Sequence, residues 1–186
     1  MMTLVFCLEE PSAKEMLKGV LPRLLPDGIT VHYIIFQGKQ DMEKQLVKRL
    51  RGWLLPNTKF VIMRDQDAAD CHVVKNKLVT LCQAAGRGDA LVRVACRELE
   101  SFYLGDLQAV EAGLGIGGLA ARQNTKKYRA PDRLGNPVQE LTRLTGNRYQ
   151  KIAGSRTIGP HLHFENNRSH SFTVLIKGIL QLIEQA

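Results

Sequence analysis

The chain has 186 residues, 44% apolar and 24% charged, with a formal net charge of +8. That length suits one domain with a substantial core, and the composition is that of an ordinary globular protein, not a disordered, fibrous or disulfide-stapled one. No apolar run approaches the roughly 18 residues of a membrane span, and a start that lacks a basic segment and reaches Glu9-Glu10 within one strand length does not read as a secretory signal.

The first apolar run, Leu4-Val5-Phe6-Cys7-Leu8, reads as a buried strand and runs into Glu9-Glu10. Ser12 with Glu15 has the pattern of a capping box, and Met16, Leu17, Val20, Leu21 and Leu24 recur behind it at helical spacing. Asp27-Gly28 breaks that helix, and 30–36 reads as the second strand. A helix is expected over 42–55, with Leu46, Val47, Leu50, Trp53 and Leu54 inward and Lys44, Lys48, Arg49 and Arg51 outward. Pro56-Asn57 ends it before Phe60-Val61-Ile62-Met63, a third strand that runs through Arg64 into Asp65-Gln66-Asp67, with Asp70 beyond. A third helix over 69–85 closes at Gly86 and Gly88. The fourth strand, 90–96, leads into a helical stretch over 98–112 that carries Glu98, Glu100 and Asp106. Strands alternating with helices predict an α/β fold: a mostly parallel sheet flanked by helices.

Beyond 113 the character changes. Gly113, Gly115 and Gly118 fit G-x-G-x-x-G but follow a helix rather than a strand, so they read as a helix exit and not a dinucleotide site. Asn136-Pro137 marks a helix start, 154–160 reads as a glycine-bounded loop, and a last helix from Ser171 carries Phe172, Leu175, Ile176, Ile179, Leu180 and Ile183 inward. A core over 1–112 with a basic extension over 113–186 packed onto it, one structural domain overall, is the expected organisation. Cys7, Cys71, Cys82 and Cys96 show no CxxC pairing, which suits a reduced, cytoplasmic protein. No nearby Cys or acid pattern completes a zinc site around His161-x-His163, so a structural or hydrogen-bonding role is expected.

Charge is segregated. Between positions 120 and 156 nine basic residues face two acidic ones, so this window holds seven of the eight net positive charges. Such a segment can be a solvated loop, but it also suits a polyanion such as nucleic acid. Lys126, Lys127 and Arg129 are its centre, and Ser155-Arg156 could donate to a phosphate.

Three acidic clusters each follow an apolar run, where an open parallel sheet keeps its functional crevice. Strand-end acids can be mere helix caps. If the three strands are neighbours, however, their carboxylates converge and repel, and a hard divalent cation relieves the cost. Two such ions can activate water and stabilise the leaving oxygen in phosphodiester cleavage.

A strand ending in Glu9, another ending in Asp65-x-Asp67 and acids after a third resemble the Toprim domain shared by topoisomerases, bacterial primases and OLD-family nucleases. More closely, 8–13, Asp65-Gln66-Asp67, 97–106 and Gly154-Ser155-Arg156 resemble a bacterial family of unknown function. That family is a compact Toprim-like relative of the OLD nucleases, often encoded beside an AAA- or ABC-type ATPase. The resemblance implies a Toprim-like (Rossmann-like) fold and a metal-dependent nuclease using Mg²⁺ or Mn²⁺ on DNA or RNA. In it Glu9 is a metal ligand or general base, Asp65 and Asp67 are ligands, and Glu100, supported by Asp106, is the second-metal acid. Lys126, Lys127, Arg129 and Arg156 would hold the strand. An ATPase partner and anti-phage defence follow from the same resemblance; a homo-oligomer is left open. One departure is Glu10-Pro11, where many Toprim domains carry glycine. Two other readings stay open: a non-catalytic module that binds nucleic acid or an ATPase, and a phosphatase or receiver-like domain with Asp65 as nucleophile.

Overall fold

The computed structural model describes residues 2–185; positions 1 and 186, the outer ends of the two expected segments, lie outside it. One sheet holds four parallel strands, β1 (Met2–Leu8), β2 (Ile29–Ile35), β3 (Thr58–Asp65) and β4 (Leu91–Ala95), in the order β2-β1-β3-β4. Helices α1 (Pro11–Leu24), α2 (Lys39–Arg51) and α3 (Cys71–Ala84) join them in turn, as parallel pairing requires. β1 pairs without interruption with β2, from Met2↔Ile29 to Leu8↔Ile35, and with β3, from Thr3↔Thr58 to Leu8↔Met63.

Alternate side chains of β1 enter opposite cores. Leu4, Phe6 and Leu8 pack with α1, whereas Val5 and Cys7 pack with α2 and α3. Covered on both faces, the strand is apolar throughout. From β1 the chain moves out to β2, then crosses back over β1 to reach β3 and β4. The order therefore reverses between β1 and β3, and the carboxyl ends at such a switch point are where open α/β sheets keep their ligand crevice.

The second half supplies α4 (Glu100–Leu104), α5 (Leu107–Leu114), α6 (Pro137–Leu144), α7 (Lys151–Ile158) and α8 (His170–Glu184). Phe102, Val110, Leu141, Ile158, Phe172 and Ile179 share the core of Leu4 and Phe6, so residues on both sides of position 113 build it. In α8 the expected face is inward: Phe172, Leu175, Ile176 and Ile179 are buried, and Leu180 and Ile183 pack at its edge. The turn after α7 lies hard against α1. A Cβ on Gly19 would stand 2.4 Å from the Pro160 nitrogen, and one on Gly159 2.6 Å from the Met16 carbonyl oxygen.

Several expectations need correction. α1 begins at Pro11, so Ser12 is inside it and Glu10 is the N-cap; the Ser12–Glu15 capping box does not form. α2 ends at Arg51, capped by Gly52, and Leu54 is left 88% exposed. The stretch over 98–112 is two helices, because Asp106 accepts the Ala109 N–H at 3.1 Å and starts α5 afresh. The expected loop over 154–160 lies largely in α7 and the 3-10 turn Gly159–His161. No described helix is long and apolar enough to cross a membrane.

Candidate metal centre and nucleic-acid surface

Glu9 follows β1, Asp65 ends β3, and Glu100 opens α4 shortly after β4. Because β1, β3 and β4 are neighbours, the three acids meet at the point where strand order reverses. Glu9 is 9% exposed, and its Oε2 accepts the Asp65 backbone N–H at 3.1 Å. Burial raises its carboxyl above the ordinary range, and the Asp67 charge adds to that. Asp65 is pushed well up, first by burial, then by Glu100 and Glu9. Glu100 is 1% exposed and raised by burial even though Tyr149 donates to its Oε1 at 2.6 Å. Its other oxygen, Oε2, is buried with no hydrogen-bond partner among the described residues, and so is Arg64 Nε, 4.0 Å from Glu9. Orphaned buried groups are rare and call for an explanation.

Asp67 sits in the turn after β3 at φ 56, a left-handed conformation that aspartate tolerates. Lys39 reaches it at 2.8 Å. Lys151, at the start of α7, donates to Glu10 at 3.1 Å; burial lowers its pKa, but the Glu100, Glu10 and Asp65 charges outweigh that and raise it. Arg64 extends to Glu43 at 2.6 Å. The carboxylates of Glu9, Glu10, Asp65, Asp67 and Glu100 thus face Lys39, Lys151 and an Arg64 that Glu43 shares.

Hard oxygen donors, mutual repulsion and the orphaned Glu100 oxygen suit Mg²⁺ or Mn²⁺. Among the described residues, no three His, Cys, Asp or Glu side chains are placed to hold one ion between them. An ion there would be held by one or two carboxylates, with waters and substrate phosphates completing its octahedron.

Other anticipated residues fall elsewhere. Asp106 caps α5 and accepts His163 N–H at 2.7 Å and Nδ1 at 2.9 Å. Its carboxylate is spent on structure, which also gives His163 the hydrogen-bonding role expected of it. Asp70 caps α3 through the His72 and Val73 N–H groups. Ser155 is wholly buried on α7, accepting from the Tyr103 hydroxyl at 2.7 Å and donating to the Lys151 carbonyl. It cannot meet a phosphate there. Arg156 is exposed and binds Glu15 at 2.6 Å. Lys126, Lys127 and Arg129 are exposed, with Arg133, along a depression of about 460 Å³, and Lys127 pairs with Glu140 at 2.8 Å. Sequence reasoning does not single out Lys39, Lys151 or Tyr149. Lys151 figures there only as one charge in the basic window, and Tyr149 carries no local signal.

Over residues 8–180 the sequence matches the family described as "Domain of unknown function (DUF4276)", and the chain belongs to that family. Its fold is that of the C-terminal region of the Burkholderia pseudomallei OLD protein. The two share 15% identity with a TM-score of 0.57, over 98% of this chain and 97% of that one. No curated protein matches the sequence.

Proposed function

We propose that the protein is a metal-dependent nuclease of Toprim type that hydrolyses nucleic-acid phosphodiester bonds. The observation that carries this reading is the meeting of Glu9, Asp65 and Glu100 from neighbouring strand ends in a buried crevice, with one Glu100 oxygen unpartnered. Repelling buried carboxylates are costly, and such sites concentrate where function needs them. Mg²⁺ or Mn²⁺ held by Glu9, Asp65, Asp67 and Glu100 would supply an activated water and neutralise the leaving oxygen.

The chain's own groups do the positioning. Tyr149 fixes one Glu100 oxygen and leaves the other for the crevice. Lys39 and Lys151, paired with Asp67 and Glu10, can exchange a carboxylate for a phosphate oxygen when substrate enters. Lys126, Lys127, Arg129 and Arg156 hold the strand; Ser155 does not. The family resemblance carried by the sequence is what points to an ATPase partner of AAA or ABC type, and with it to an anti-phage role in the cytoplasm. Labelled DNA and RNA, single- and double-stranded, should be cut in Mn²⁺ by wild type and spared by a folded Asp65→Asn/Asp67→Asn variant. Cleavage by that variant sinks the assignment.

One observation favours a second reading, a non-catalytic module binding nucleic acid or an ATPase: Lys39 and Lys151 already offset part of the crevice charge. Calorimetry separates the two. Saturable Mn²⁺ binding lost in Asp65→Ala/Asp67→Ala supports the nuclease, and no binding at millimolar metal supports the module or a site completed only by substrate or partner.

A further inference from the structure

Three depressions lie side by side on the second half of the molecule. The first is the basic one of Lys126, Lys127, Arg129 and Arg133, which ends at Leu134. Leu134 also borders the second, of about 460 Å³, with Asn136, Gln139 and Arg143 on its wall. Those three residues in turn line the third, about 670 Å³, which reaches Glu98. Glu98 stands two residues before Glu100 and accepts the Val138 N–H at 2.8 Å, tying α6 to the crevice loop. The depressions therefore follow one another from the basic segment, over α6, as far as Glu98, two residues from the acidic cluster.

The chemistry changes along that path from lysine and arginine to amides. Asn136 occupies the N-cap position of α6 yet makes no capping bond, because Glu98 has taken the helix N–H instead. The Asn136 and Gln139 amides make no hydrogen bond within the described residues and open onto the second and third depressions. Asn147, on the same wall, is explained by its left-handed φ of 64, so its identity follows from the backbone. Amides and arginine are the side chains that read base edges, each offering paired donors or acceptors. No exposed ring lines the path: Tyr128, amid the basic residues, is 2% exposed. Sequence-tolerant stacking is thus not the mode here. Asn136, Gln139 and Arg143 are themselves exposed, but they stand on the walls of depressions, on a helix held down by Leu141 and Pro137, and not on a protruding element such as entry into a duplex groove needs. Unpaired bases can be splayed into such depressions.

We propose that this path binds a single nucleic-acid strand with sequence preference, Asn136, Gln139 and Arg143 reading bases while Lys126, Lys127, Arg129 and Arg133 hold phosphates. The inference deepens the nuclease reading and rests on it for the direction of the strand, but its test is binding alone, in chelator. Labelled 12-mer homopolymers of each base, as DNA and as RNA, and a duplex are titrated by fluorescence anisotropy. Wild type should separate the best from the worst homopolymer by about fivefold or more and prefer either to duplex. Asn136→Ala/Gln139→Ala should keep the melting temperature and bring the homopolymers within about twofold of one another, as removal of base readout requires. Lys126→Ala/Lys127→Ala should weaken every sequence alike and lower the salt slope by about 1.4, since each phosphate that a cation neutralises on a single strand adds about 0.7 to it. Equal binding of all homopolymers, tighter duplex binding, or unchanged preference in the amide variant overturns the proposal. Persistent cleavage by Asp65→Asn/Asp67→Asn would instead strike the nuclease assignment and leave the binding result standing.

Discussion

Asp65 and Tyr149 act on the same crevice with opposite sign. Burial, Glu100 and Glu9 all disfavour the charged form of Asp65, while the Leu99 backbone N–H that it accepts favours it. Asn keeps an acceptor for that N–H and removes the charge. Asp65→Asn should therefore raise the melting temperature at neutral pH, at about 2–4 °C for each kcal/mol in a domain of this size. Mn²⁺ should stabilise wild type and not the variant, since an ion bound only by the folded form adds to its stability. Differential scanning fluorimetry with and without metal reads both; a lower melting temperature in the variant would mean that Lys151 already compensates Asp65. Tyr149→Phe works the other way. It removes the hydroxyl that donates to Glu100 at 2.6 Å and leaves both oxygens of a 1% exposed carboxylate unsatisfied. A loss of about 1–3 kcal/mol follows, visible as a lower urea midpoint with unchanged slope. At this scale the acids are marked in the sequence because each follows an apolar run. Tyr149 and Lys151 are not, since they arrive from a distant segment and no local pattern marks where they go.

Among elements, α7 departs most from expectation, and its glycines explain why. Gly154 and Gly159 look like loop punctuation. Neither has the left-handed backbone that such loops use; each instead admits a neighbour. A Cβ on Gly154 would stand 2.5 Å from Tyr149 Cδ2 and 2.6 Å from Cε2. Two effects compete in Gly154→Ala. Alanine favours the helix by about 1 kcal/mol, while forcing an extra carbon into a packed contact costs about 1–3 kcal/mol. The contact is to a buried ring that anchors Glu100, so we expect net destabilisation and, on the proposed nuclease reading, reduced Mn²⁺-dependent cleavage. A variant as stable and active as wild type would show that the ring can shift without moving Glu100. Close approach of this kind cannot be told from a turn by composition. The division of 98–112 into two helices is hidden for a similar reason, because Asp106 as an internal cap looks like another member of an acidic cluster.

For the molecule as a whole, the α/β alternation is readable from periodicity, but the strand order is not, since a pattern of apolar runs does not say which strands pair. The site depends on that order. With β1, β3 and β4 adjacent the acids meet, and Lys151 meets them only because α7 docks on α1. The Glu15–Arg156 pair at 2.6 Å joins those helices across 141 positions, and Lys151–Glu10 repeats the tie at the crevice. Glu15 is held below the ordinary carboxylate range, first by Arg156 and then by Lys18. Its folded pKa is therefore lower than its unfolded one, the unfolded chain binds the proton more readily, and the contribution is present above the unfolded value and lost as pH falls through the folded one. Glu15→Gln removes it at every pH. The difference in melting temperature between wild type and Glu15→Gln should be constant near neutrality and close as pH drops below about 4.3, where a free glutamate titrates. Arg156 and Lys18 are exposed enough for salt to shrink that difference. A gap that persists once the folded protein's Glu15 is protonated, as followed by NMR, would mean that Glu15 joins α1 to α7 by packing and not by charge.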